Sequence, residues 1–331
     1  MHRKIPVLAA LLCAINLSSL EKPVTVFCHG IIDNQHQVQN YLNRSIFGEI
    51  YSFDFPDTRP HYSWDLNRLI SRISSLFGRS TLKPFGKQVN RDQMFMGQDL
   101  DIVQLKEELQ KQSDKKLILY GVSRGASTIV SHLGQIQDVK NIQAIVLESP
   151  AADMLDGIKN FSAKLGIPLP QSLFRLIFYR YPEHPDTPVT AVSDIANRDL
   201  PIFIIYTRED TTVHPAQPWI LYKAFKEKGF KNVYIQEVKT GRHCNLHLEK
   251  TFETDYCEPI KAFYNAHARG KFSVQNITLY NLQPSIEQAN EKIIDFNRKR
   301  ELLYQENVTR NIHAALLIAL LSLSLACYSK K

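Results

Sequence analysis

The chain has 331 residues and a formal net charge of +7, with hydrophobic residues at 44% and charged residues at 22%. These proportions exclude a disordered or collagen-like polypeptide, no internal repeat or low-complexity tract is present, and the length suits a single α/β core carrying insertions. The positive charge favours anionic surfaces such as lipid headgroups, but the basic residues are scattered and form no organised nucleic-acid motif, so no nucleic-acid partner is expected.

At the amino terminus, Met1-His2-Arg3-Lys4 precedes the apolar stretch Ile5 to Leu17. A basic flank and a short hydrophobic core make a secretory signal. Residues 1–20 are therefore expected to be a signal peptide or an N-terminal anchor, and the protein to be exported or membrane-associated. Cleavage near Ser18 to Glu21 leaves the first core strand, Val24 to Cys28, intact. That strand runs into His29-Gly30-Ile31-Ile32-Asp33, where Gly30 is expected to allow a tight turn that aims the Ile31 amide into a pocket. Phe47 to Phe53 reads as a second strand, Leu66 to Leu76 as a helix, and Leu100 to Gln112 as a clearer amphipathic helix.

The next strand, Lys116 to Tyr120, breaks into Gly121-Val122-Ser123-Arg124-Gly125 and then into small residues suited to starting a helix. A serine raised on a sharp strand-to-helix turn needs unfavourable dihedrals and close neighbours, and glycines on either side remove the Cβ atoms that would clash there. Ser123 is thus the candidate nucleophile, and the Arg124 amide a candidate oxyanion donor beside that of Ile31. The competing reading is a glycine-rich turn with no chemistry. Ala144 to Glu148 is the strand after the elbow helix, so strands and helices alternate as a doubly wound sheet requires. A long connection, 149–200, follows with the aromatic run Leu173 to Tyr179. It either covers the mouth of a pocket like a lid or packs onto the core.

A serine hydroxyl is a poor nucleophile at neutral pH and requires a histidine base oriented by a carboxylate. The strand Pro201 to Tyr206 leads into Thr207-Arg208-Glu209-Asp210-Thr211-Thr212-Val213-His214, which offers Asp210 as the acid with Glu209 as its rival. Val233 to Val238 is the next strand and ends in a loop carrying His243, ahead of the final core helix. His243 is expected to be the base. His247 falls within a helix and His214 lies on the acid loop, which makes both weaker alternatives. Neither a metal nor an organic cofactor is indicated by ligand spacing. A disulfide scaffold is not indicated either, although Cys244 and Cys257 approach each other if the loop after His243 folds back.

The segments Cys28-His29-Gly30-Ile31, Gly121-Val122-Ser123-Arg124-Gly125, Glu209-Asp210-Thr211-Thr212-Val213 and Gly241-Arg242-His243 together resemble the α/β-hydrolase superfamily. In that family the corresponding sites supply the oxyanion loop, nucleophile, acid and base. The valine three residues after Asp210 resembles the usual acid loop and favours Asp210 over Glu209. The resemblance covers about Glu21 to Ala268, leaves both ends unexplained, and implies a doubly wound, mostly parallel α/β sheet with a lid-like insertion; a C-terminal helical extension is expected beyond it from the residue pattern alone. With a serine nucleophile it further implies acyl transfer to water, and fixes the catalytic machinery better than the substrate; a carboxylic ester or thioester of a small or lipid-like acyl group is the expected substrate. A serine peptidase or amidase of the same fold, and a non-catalytic binding protein at a membrane, are the alternatives.

After the 21–268 core, an extension over 269–311 contains a charged helical segment, Ile293 to Arg300, and is followed by an apolar tail helix over 312–328. Ile312 to Cys327 rises roughly 24 Å as a helix, short of the roughly 30 Å of a hydrocarbon core. Membrane contact through this tail, with Lys330 and Lys331 at the surface, is the expectation; packing on the protein or on a partner is the alternative.

Overall fold

A computed structural model of the chain describes residues 23–30, 35–42, 49–55, 100–135, 141–153, 155–168, 187–268 and 279–328. Six strands follow in chain order: β1 (Val24–Cys28), β2 (Glu49–Ser52), β3 (Leu117–Val122), β4 (Ile142–Glu148), β5 (Ile202–Thr207) and β6 (Val233–Val238). All pair in parallel, in the order β2-β1-β3-β4-β5-β6. In β1, β3, β4 and β5 the near-continuous runs of Ile, Leu, Val and aromatic residues are those of strands buried on both faces, whereas edge strand β2 is only partly buried. β2 ends one residue before the expected Phe53, whose ring packs edge-on against Phe55 at 5.3 Å; Phe47 and Gly48 of the expected strand lie outside the described residues.

Alternate strand residues feed two cores. Leu117 and Leu119 point to one face and Ile118, Tyr120 and Val122 to the other, each set buried. The first face is covered by α1 (Leu100–Gln110), α2 (Arg124–Gln135) and α4 (Ala216–Glu227). Between these last two in the chain comes α3 (Asp156–Leu165). The second face is covered by α5 (Glu258–His267), the π-helical turn Phe252–Cys257 before it and the short segment 35–42. Helices on both faces make the sheet doubly wound. Because β1 has β2 on one side and β3 on the other, the winding reverses there and opens a crevice beyond the carboxyl ends of β1 and β3.

The charged segment and the apolar tail are joined in one unbroken 43-residue helix, α6 (Ile286–Tyr328). No glycine or proline interrupts it. Ser285 begins it with a capping box: its hydroxyl accepts from the Gln288 amide at 3.2 Å while its own amide donates to Gln288 Oε1 at 2.8 Å. Ala289 and Phe296 then enter the core beside α4, Arg300 pairs with Asp156 at 2.6 Å, and Asn307 Nδ2 donates to the Ala163 carbonyl at 2.9 Å. At Gly166, which caps α3 with φ of 62°, a Cβ would lie 2.5 Å from the Asn307 carbonyl carbon. Glycine is what lets α3 and α6 approach so closely.

Within the long connection, the end nearest β5 packs on the elbow helix: a Cβ at Gly134 of α2 would meet the Ala191 carbonyl oxygen at 2.6 Å. The aromatic run Leu173 to Tyr179, the helix expected over Leu66 to Leu76 and the amino-terminal segment 1–20 lie outside the described residues.

Candidate active site

β3 ends at Val122 and α2 begins at Arg124, leaving Ser123 alone to make the turn with φ of 52°. A left-handed conformation costs a non-glycine residue about 1–2 kcal/mol and persists only where surrounding contacts fix it. Here the Ser123 amide donates to the Glu148 carbonyl at 2.8 Å and its own carbonyl accepts from the Ser127 amide at 3.0 Å. The flanking glycines are sterically required. A Cβ on Gly121 would fall 2.5 Å from the Ala126 nitrogen, and one on Gly125 2.1 Å from the Cys28 carbonyl oxygen.

The fold carries three of the sequence-predicted side chains to one point at the carboxyl edge. Ser123 Oγ lies 2.8 Å from His243 Nε2, and His243 Nδ1 lies 2.6 Å from Asp210 Oδ2. An ionised carboxylate only accepts, so Nδ1 carries the proton and Nε2 is left to accept from the serine hydroxyl. Burial works against the imidazolium, but Cys244 and the Asp210 carboxylate outweigh it and hold the His243 pKa well above the ordinary imidazole value. Burial keeps Cys244 a protonated thiol, so the durable cause is Asp210.

Glu209 has a different role. Its carboxylate accepts from the Gly241 amide at 3.2 Å, while Thr207 Oγ1 donates to the Gly241 carbonyl at 3.1 Å. Together they fasten the histidine loop to the end of β5. Gly241, at φ of 119°, leaves no room for a side chain, since a Cβ there would meet Leu246 at 2.8 Å. Asp210 Oδ1 accepts from the Thr212 and Val213 amides at 2.8 and 2.9 Å, which fixes its carboxylate while Oδ2 faces His243. Asn160 on α3 donates to the Thr211 carbonyl at 3.0 Å and ties that helix to the same loop. His247 lies in a 3-10 turn with its ring 5.7 Å from Tyr41. His214 turns toward Phe296 on α6, where burial and then Arg300 lower its pKa to about 4.

Of the two expected oxyanion donors, Ile31 lies outside the described residues and Arg124 starts α2 immediately after Ser123. Gly30 itself is not required by sterics. A Cβ there would make only ordinary contacts, with Cys244 Sγ and the Gln37 amide group at 3.7 Å, and the backbone is not left-handed. Hydrogen bonds hold it instead. The Gly30 amide donates to Gln37 Oε1 at 2.8 Å, and buried His29 donates from Nδ1 to the Gly30 carbonyl at 2.6 Å while its Nε2 accepts from the Phe55 amide at 3.1 Å. Burial, then the nearby Arg124 charge, lowers the His29 pKa to about 3 and keeps it in that neutral tautomer.

Two features escaped the sequence reading. The Arg124 side chain is buried and donates to both carboxylate oxygens of Asp101 in the first turn of α1, at 2.8 and 2.5 Å, with the Phe55 ring 4.7 Å away. Behind the site, the buried Glu148 carboxyl accepts from Tyr41 at 3.1 Å, from Tyr120 at 3.5 Å and from Tyr256. Burial raises the Glu148 pKa to about 8, so it is mostly protonated at neutral pH. A carboxylate closing the apolar strand Ala144 to Leu147 was the available signal. Among the described residues, no group of three or more His, Cys, Asp or Glu side chains gathers as metal ligands would.

No protein-family model matches the sequence, and no curated protein matches it either. Similarity to solved structures comes through the fold. A puromycin-hydrolysing peptidase of Mycobacterium tuberculosis aligns with 78% of this chain and 36% of its own, at 16% identity and a TM-score of 0.50. The chain has the α/β-hydrolase fold. Also similar are an esterase of Pyrococcus furiosus (18% identity, 75% of this chain and 84% of that one, TM-score 0.47) and a monoacylglycerol lipase of Paleococcus ferrophilus (13%, 74% and 96%, TM-score 0.44). In an α/β-hydrolase fold the serine elbow, acid loop and histidine loop belong at the carboxyl edge of the sheet, which is where Ser123, Asp210 and His243 meet.

Proposed function

We propose that the chain is a serine hydrolase that cleaves a carboxylic ester or thioester through an acyl-enzyme on Ser123. The supporting observation is the chain of hydrogen bonds from Ser123 to His243 to Asp210, at 2.8 and 2.6 Å, on a strained elbow. Ser123 Oγ attacks the acyl carbonyl as His243 Nε2 takes its proton, and Asp210 stabilises the imidazolium. The negative charge on the tetrahedral carbonyl oxygen falls to the Arg124 amide and, in this reading, the Ile31 amide. His243 then protonates the departing alcohol or thiol, and the same nitrogen deprotonates the water that releases the acid and restores Ser123.

Esters and thioesters suit this site because their leaving groups depart with less proton donation than an amine needs. The apolar stretch Ile5 to Leu17 supports an exported or membrane-associated setting. Matched p-nitrophenyl esters, thioesters and anilides of increasing acyl length test the reading. A pre-steady-state burst with the esters and thioesters, and little turnover of the anilides, is expected. Anilide turnover equal to that of the esters would make the enzyme an amidase.

A further inference from the structure

Beyond Asn311, whose Nδ2 donates to the Leu165 carbonyl at 2.6 Å, α6 leaves the domain. Ile312, Leu316, Leu317, Ile318, Leu320 and Leu321 are each 54–65% exposed. At about 100° per residue these six side chains spread over roughly 240° of the helix circumference. A coiled-coil partner covers a seam of two positions in seven, and a core-facing helix typically carries an apolar stripe only about 100° wide. A protein partner seated on one side would leave much of this apolar surface in water. Lipid surrounds a helix on every side.

We propose that this end of α6 inserts into a phospholipid bilayer and docks the domain on it. Three further observations fit that occupant. The apolar surface continues onto the domain, where Leu165 and Ile167 at the end of α3 are 48% and 51% exposed beside the point at which α6 departs. Arg310 stands just before the apolar segment and Lys330 and Lys331 follow it in a chain of net charge +7, a disposition that suits anionic headgroups. Among the described residues, no helix is long and apolar enough to cross a membrane, and the roughly 24 Å of Ile312 to Cys327 suits insertion without a full span. α3, which meets the bilayer through Leu165 and Ile167, also holds the Asp210 loop through Asn160. The docked domain therefore presents its acid loop near the lipid, and a bilayer-borne acyl ester is the substrate class this suggests, a corollary that rests on the hydrolase reading.

Flotation of the full chain with vesicles of phosphatidylcholine and phosphatidylglycerol tests the docking, with Leu317→Glu/Leu321→Glu as the variant. Both positions are exposed, so the thermal unfolding midpoint should be unchanged. Wild type should float and the variant should lose at least tenfold in vesicle partitioning. Equal flotation of both would overturn the proposal and assign membrane binding to another segment, such as residues 1–20. A wild-type chain that stays in the pellet as a dimer, and becomes a monomer in the variant, would overturn it in favour of a second copy as the occupant. Flotation does not depend on turnover, so a chain that floats but hydrolyses nothing leaves the docking standing and removes only the catalytic reading.

Discussion

Arg124 and Asp101 form a two-pronged ion pair with both side chains fully buried, fastening the residue after Ser123 to the first turn of α1. Removing one charge strands the other in a low-dielectric interior. Asp101→Asn is expected to destabilise the fold by about 3–5 kcal/mol, and replacing both partners with apolar residues of similar volume should recover much of that loss. Urea unfolding of the three proteins measures it; an unchanged midpoint for Asp101→Asn would show that the pair carries little.

The two adjacent acids should separate cleanly in kinetics. Asp210→Asn is expected to lower kcat by about 10⁴, because His243 loses the carboxylate that fixes its tautomer. Glu209→Gln keeps an oxygen to accept from the Gly241 amide and should retain most of the activity. The reverse pattern would move the acid to Glu209.

His243 must be neutral to accept the Ser123 proton. Its raised pKa places the acid limb of kcat/KM above the ordinary imidazole value of about 6.5, with activity climbing as pH rises through it. Because Asp210 contributes to that shift, Asp210→Asn should move the limb of the residual activity to lower pH. A wild-type limb below 6.5 contradicts the assignment of His243 as a base paired with Asp210.

Glu148 predicts a pH dependence of stability. Its pKa is about 8 in the folded protein and about 4.5 in the unfolded chain, so between those values the native state retains a proton that the unfolded state has lost. Raising pH through this window therefore favours unfolding. The lowered pKa values of His29, His132 and His214 act in the opposite direction below about pH 6.5, so the difference between wild type and Glu148→Gln isolates the carboxyl. Urea midpoints from pH 5 to pH 8 should fall more steeply in wild type than in Glu148→Gln. Parallel curves would mean that Glu148 does not titrate there.

The parts of the molecule legible in the sequence are those imposed by local geometry. Gly121 and Gly125 stand where any Cβ would strike backbone, and the strands are apolar because both faces of the sheet are covered. Asp210 and His243 could be read because strand ends in such a sheet deliver their loops to one edge. The Tyr41, Tyr120 and Tyr256 cluster around Glu148 was hidden, since topology alone unites residues more than a hundred positions apart, as with Glu148 and Tyr256. Asp101 gives no sign of its partner, because the helix dipole already favours an acidic residue in a first helical turn. At Gly30 a side chain is sterically tolerated, and its backbone is held by His29 and Gln37, while the turn expected after it lies outside the described residues.

A Ser123 nucleophile activated by His243 should react covalently with a fluorophosphonate. Intact-mass analysis after reaction with a fluorophosphonate, followed by peptide mapping, measures it most directly. A single covalent adduct on Ser123, absent from a folded Ser123→Ala variant and greatly slowed in His243→Ala, is the predicted result. A folded wild-type protein that forms no adduct, or an adduct that persists in Ser123→Ala, would contradict it.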